Sequence, residues 1–237
     1  MNGILLVDKP PGISSHDVVY RLRRILGIRK IGHTGTLDPQ ATGLLVALVG
    51  NYTKRANCFI NDDKVYRGVI TFGKSTETYD GEGRVTGTYR TDTLSLNRIR
   101  EKLREFTGFF LQEPPMYSAV KVGGRKLYKL ARAGKMIPRN PRMVHVKSIK
   151  ILNWEPPCLL LRIHCSKGTY IRSIAHELGV KVGAGAYLSE LRRLAVGKFS
   201  IKQAMSIQDI EDYVKNCNTE QILLTCPDKA KQHSNYS

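Results

Sequence analysis

The segment that most limits what this 237-residue chain can become is Gly32–Leu45, Gly-His-Thr-Gly-Thr-Leu-Asp-Pro-Gln-Ala-Thr-Gly-Leu-Leu, with the apolar run Leu44–Val49. Three glycines permit tight or left-handed backbone. Pro39 fixes the φ angle that follows Asp38. The run Leu-Leu-Val-Ala-Leu-Val reads as a central strand. Together they predict a loop that holds one carboxylate, Asp38, at the edge of a sheet. A phosphate-binding loop is excluded, because no Gly-Lys-Ser/Thr closes the motif. An isolated Asp-Pro is more often a turn or helix start, so the rest of the chain has to decide its meaning.

The flanking sequence is regular. Gly3–Asp8 reads as a buried strand turned by Lys9-Pro10-Pro11-Gly12. Ser14 and Ser15 are N-cap candidates for a helix through Leu26, with Val18, Leu22, Ile25 and Leu26 on one face and Gly27 as its stop. A short helix is expected from Thr53 to Ile60. Lys64–Gly73 carries the β-formers Val65, Tyr66, Val69, Ile70 and Phe72. The turn Thr76–Gly83 and a strand towards Thr91 suggest a β-hairpin. Leu94–Phe106 is helical by period, with Ser95 near its cap. Val144–Trp154 and Cys158–Cys165 read as strands around Pro156-Pro157. A helix follows to Val182, and Ser206 caps a last one through Asn216. Cys226–Ser237 reads as a polar, frayed end.

Charge narrows the function classes. The net charge is +18, which points to a polyanionic partner, nucleic acid before membrane. From Lys121 to Lys150 no Asp or Glu interrupts the basic residues. A solvated face would mix signs, so Lys121, Arg125, Lys126, Lys129 and Arg132 are candidate RNA contacts. Part of this stretch, about 123–142, is punctuated by Gly and Pro and reads as a mobile insertion. No apolar run is long enough for a transmembrane helix, and the first residues carry no cleavable-leader pattern. Five cysteines without a Cys-x-x-Cys pair indicate reduced thiols in a cytoplasm. The histidines are scattered, so no metal site is expected.

Five blocks then carry a resemblance. The Gly32–Gly43 string, Lys9-Pro10-x-Gly12-x-Ser14, Pro114-Pro115-x-Tyr117-Ser118-Ala119-x-Lys121, Ser166-Lys167-Gly168-Thr169-Tyr170-Ile171-Arg172 and Gly183-x-Gly185-Ala186-x-Leu188-x-x-Leu191-Arg192-Arg193 occur in order over roughly residues 3–200. They resemble the motifs of the TruB family of tRNA pseudouridine synthases. The resemblance implies an α+β fold, with a mixed, largely antiparallel sheet flanked by helices and a central catalytic cleft. It implies a catalytic domain over 1–202 that includes the basic insertion, and a short helical extension with a polar tail over 203–237. It also implies isomerisation of a T-loop uridine in tRNA, without a cofactor.

By the same resemblance Asp38 is the catalytic carboxylate, acting on a sugar carbon or a sugar proton; the two routes stay open. Arg172 pairs with it and Tyr66 stacks on the extruded base. His33 fills the space left by flipped nucleotides, Asp80 lies near base and tyrosine, Leu191 walls the uracil pocket, and Tyr170 joins the substrate-binding set. The usual Thr-Asp-Thr-x-Asp appears as Thr76-Glu77-Thr78-Tyr79-Asp80. The expected enzyme is a monomer that needs no protein partner. Two rivals are a guide-RNA-directed synthase and a noncatalytic RNA-binding protein; simultaneous retention of Asp38, Tyr66 and Arg172 disfavours the latter.

Overall fold

The computed structural model describes residues 1–216 and 219–225. In chain order the strands and helices are β1 (Gly3–Lys9), α1 (Ser15–Leu26), β2 (Ile31–His33), β3 (Thr42–Val49), α2 (Asn57–Ile60), β4 (Lys64–Phe72), β5 (Lys74–Thr76) and β6 (Val85–Thr88). They continue with α3 (Leu96–Arg104), β7 (Gly108–Gln112), β8 (Lys121–Val122), β9 (Arg125–Lys126), α4 (Leu127–Arg132), β10 (Arg142–Glu155) and β11 (Cys158–Cys165). The last are α5 (Ile171–Val182), β12 (Ala186–Val196), β13 (Phe199–Ser200) and α6 (Ile207–Asn216). The architecture is the expected α+β type, a mixed, largely antiparallel sheet with flanking helices. Its residues form two compact units, Met1–Asn61 with the segment from Ala195 onwards, and Asp62–Leu194.

In the first unit β1 runs antiparallel to β3 from Gly3↔Val49 to Lys9↔Gly43, and β2 lies antiparallel to β3. Both long strands are buried on both faces, which explains their continuous apolar sequence. Leu5, Val7, Leu45, Ala47 and Val49 pack with α1 and with Ile210 of α6. Ile4, Leu6, Leu44, Val46 and Leu48 pack with Phe59, Val196 and Phe199. Helix α1 starts with a capping box between Ser14 and Asp17 and stops at Gly27, whose φ of 65° suits a left-handed cap. The C-terminal segment is tied to β1 by the hydrogen bonds of Ile4 with Leu224 and of Met205 with Leu6 and Asp8. The expected frayed end from Cys226 lies outside the described residues.

In the second unit the strand order is β12-β4-β11-β10-β7. The β4–β11, β11–β10 and β10–β7 ladders are antiparallel. One face is covered by α3 and α5, with Ile70, Phe72, Ile99, Leu103, Leu161, Ile163, Ile174 and Leu178 in a common core. Gly179 of α5 lies against the backbone of Ala186, closer than any Cβ would allow.

Two expectations change. The Thr53–Ile60 helix is a 3-10 turn over Gly50–Arg55 followed by the single turn α2. The hairpin after β4 is β5–β6 rather than a partner for β4, since Gly73 at φ 97° breaks the strand first and β4 pairs with β11. Residues 121–132 form the β8–β9 hairpin and α4, whose Leu127 and Ala131 bury against Met116 with Tyr117, Val120 and Ile137 alongside.

Candidate active site

The first unit builds the Asp38 loop from backbone anchors. Thr34 N–H donates to Val46 O at 3.1 Å, continuing the β2–β3 edge. Ser15, an N-cap candidate by sequence, has a different task. Its Oγ accepts from Leu37 N–H at 2.8 Å and donates to Leu37 O at 3.1 Å. Asp38 O accepts from Ala41 N–H at 3.1 Å and Pro39 O accepts from Gly12 N–H at 3.0 Å. Beneath this turn lies Lys9, fully buried. Its ammonium donates to Pro10 O, Pro39 O and Ala41 O, each at 2.8 Å. A buried ammonium is costly unless its protons are matched, and these three carbonyls match its three donors. Lys9 thus fastens the Lys-Pro turn to both sides of the Asp38–Ala41 turn, and Asp38 itself is half-buried. His33 Nδ1 accepts from Gly35 N–H at 3.3 Å, so the imidazole orients the loop it sits in.

The second unit gathers Arg172, Asp80 and Tyr117. Arg172 is the second residue of α5 and buried. Its guanidinium donates to Asp80 Oδ2 at 3.1 Å, Thr78 O at 3.0 Å and Tyr117 O at 2.9 Å. The other Asp80 oxygen accepts from Thr78 Oγ1 and from Glu82 N–H. Asp80 O accepts from Thr76 Oγ1 at 2.7 Å. The turn after β5 is therefore held around its aspartate. Tyr79 has φ 65°, unusual for a bulky residue. Its ring stacks on His176 of α5, with centroids 3.9 Å apart and planes 10° apart. Burial holds the His176 imidazole below its ordinary pKa.

Glu77, the departure from the expected aspartate, accepts from the Tyr117 hydroxyl at 2.9 Å. That hydrogen bond raises the Tyr117 pKa. Tyr66 and Leu191 both pack, partly buried, against the core of this unit. Tyr170 caps α5 through its backbone, its N–H to Gln112 Oε1 at 2.7 Å and its O from Gln112 Nε2 at 3.1 Å. Lys121, Arg125, Lys126, Lys129 and Arg132 all lie on β8, β9 and α4. Lys126 and Arg132 approach the Tyr128 ring at 5.7 and 5.6 Å. Among the described residues no cluster of His, Cys, Asp and Glu could hold a metal ion.

Sequence reasoning missed Lys9, Ser15, the Tyr79–His176 stack and the Glu77–Tyr117 contact. The signal for Lys9 was its place at the head of the Lys9-Pro10-x-Gly12-x-Ser14 block. The other three contacts had no local signal.

Two family models match the chain: "TruB family pseudouridylate synthase (N terminal domain)" over residues 23–171 and "tRNA pseudouridylate synthase B C-terminal domain" over 172–226. A tRNA pseudouridine synthase B of Syntrophotalea carbinolica is 46% identical over 89% of this chain and 69% of its own length. One of Chlamydia abortus is 45% identical over 95% of this chain and 90% of its own. Among solved structures, a Cbf5-Nop10-Gar1 complex contains a similar chain, with TM-score 0.71 and 31% identity. That match covers 89% of this chain and 54% of the other.

Proposed function

This chain belongs to the TruB family of tRNA pseudouridine synthases, and from that premise we propose that it isomerises a T-loop uridine of tRNA with Asp38 as its catalytic carboxylate. The N-glycosidic bond breaks, the uracil turns, and its C5 bonds to the ribose C1′ as C5 loses its proton. No atom is gained or lost. Asp38 acts either as nucleophile at the sugar carbon or as base on a sugar proton. In this reading Arg172 orients Asp38; a guanidinium has five donors, so it can serve the Asp80 turn and a further carboxylate together. Tyr66 offers a flat ring to the extruded base and its hydroxyl to the proton transfer at C5. His33 fills the gap left by flipped nucleotides, and Asp80, Tyr170 and Leu191 complete the uracil surroundings. The basic residues of β8, β9 and α4 contact the RNA backbone. No guide RNA or protein partner takes part, and the reaction belongs to the cytoplasm.

The observation that carries this reading is the complete Gly32–Gly43 string with Asp38 in a turn clamped by Lys9 and Ser15. The test is incubation of the protein alone with an unmodified T-arm hairpin, scored for pseudouridine. Wild type should convert it. Asp38→Asn should give no product while binding the hairpin within several-fold of wild type. Turnover by Asp38→Asn, with deamidation excluded, would falsify the role of Asp38.

A further inference from the structure

In the second unit, α3 and α5 cover one sheet face, and the other is open to solvent. Cross-strand register brings three cations together on this open face. Arg67 on β4 pairs directly with Arg162 on β11, and Arg162 pairs directly with Lys150 on β10. All three side chains are exposed. Their sequence neighbours Tyr66, Leu161, Ile163, Ile149 and Ile151 belong to or pack against the core, so the row faces away from Tyr66 and α5. Like charges set directly opposite one another on neighbouring strands repel. Among the described residues none of the three has an ion-pair partner. Adjacent strands are about 5 Å apart, so the row spans about 10 Å with long, adaptable side chains. Acidic groups lie to its sides: Asp63 engages Lys147 and His164, and Glu155 and Glu190 share with Arg67 a groove floored by Val69 and Leu160.

We infer that the Arg67–Arg162–Lys150 row is a second RNA-backbone contact, which takes phosphates of the tRNA outside the T arm. The occupant is nucleic acid rather than another copy of this chain, because a +18 molecule repels its own kind. The choice of tRNA rests on the proposed function; the anionic-backbone chemistry rests on the row alone.

The test uses full-length protein carrying Arg67→Gln, Arg162→Gln and Lys150→Gln together. Binding to unmodified full-length tRNA and to the isolated T-arm hairpin is followed over a salt series. The log–log salt slope for tRNA should drop by about 2 to 3, from ~0.7–0.9 per phosphate left unneutralised. Hairpin affinity and single-turnover rate on the hairpin should stay within about twofold. Arg67→Lys with Arg162→Lys should bind tRNA like wild type. An unchanged tRNA slope overturns the inference and leaves the face to a different partner, such as an acidic protein. Equal reductions on both RNAs overturn it too, since the charges would then act only through the general field. Should the triple variant unfold, Lys150→Gln and Arg162→Gln taken singly should each remove one phosphate's share of the slope from tRNA alone. If wild type makes no pseudouridine yet the tRNA-specific slope change appears, the enzymatic reading fails and the RNA surface stands.

Discussion

Arg172 shows how much one side chain can be asked to do. Three of its acceptors lie 94, 92 and 55 residues away in sequence, so a single guanidinium ties the Thr78–Asp80 turn and the Tyr117 segment to the start of α5. Arginine suits this because its donors form a rigid planar fork, where lysine offers a mobile point charge. Arg172→Lys keeps the net charge and loses the fork. If Arg172 also orients Asp38, the chemical barrier should rise by a few kcal/mol, and each ~1.4 kcal/mol slows the step about tenfold. RNA binding, spread over many phosphates, should change little. Single-turnover rate beside equilibrium binding on one T-arm hairpin separates the roles. Collapse of binding with a preserved saturating rate would make Arg172 a phosphate clamp.

At the scale of elements, the acid-free basic stretch Lys121–Lys150 divides. Its first half forms β8, β9 and α4, held by the small Met116–Leu127–Ala131 cluster. Its last part lies on β10, where Val144 and Val146 are buried and Lys147 is exposed; a register shift between Val146 and Ser148 then resets the alternation, so that Ile149 and Ile151 face the core and Lys150 faces solvent. The two halves thus serve different surfaces. Lys129 and Arg132 lie three residues apart on α4, and Lys126 is the extended residue that leads into its first turn. Neutralising the three together should weaken hairpin binding and lower its salt slope by about 0.7 for each phosphate no longer neutralised. The hairpin is the discriminating ligand, because the open-face row should leave it unaffected. A hairpin slope equal to wild type would reduce these charges to solvated ones.

For the whole molecule, stability should respond to acid through α5. His176 is held neutral by burial, with its pKa below the ordinary 6.5. As pH falls through about 6.5 the unfolded chain takes this proton first, so stability drops with acidification. The neighbouring Glu177 acts in the opposite sense. Burial raises its pKa above the ordinary 4.5, so the folded state holds that proton longer and loses stability as pH rises past 4.5. His176→Gln should therefore flatten the decline in unfolding midpoint as pH falls below about 6.5 and leave the Glu177 component in place. An unfolding midpoint measured against pH for both proteins checks this, and parallel curves would place the acid sensitivity elsewhere. No described helix is long and apolar enough to cross a membrane.

The sequence alone determined what depends on neighbours a few residues away. It set the Asp38 string, the doubly buried β1 and β3, the Ser14 cap and Gly27 stop of α1, and the end of α5, because caps, turns and hydrophobic periods act over one or two turns of chain. It left β7 unread, since Gly108–Gln112 is a short apolar run whose pairing with β10 spans 30 residues or more. The tertiary structure decided which groups meet. Lys9 reaches Pro39 and Ala41 across 30 and 32 residues, and Asp80 receives Arg172 across 92. Arg67, Arg162 and Lys150 form a row only through the register of β4, β11 and β10. A one-residue slip in any of these strands would turn its cation towards the core. Register is fixed by how the whole apolar face fits beneath α3 and α5, a condition that no local stretch of the sequence contains.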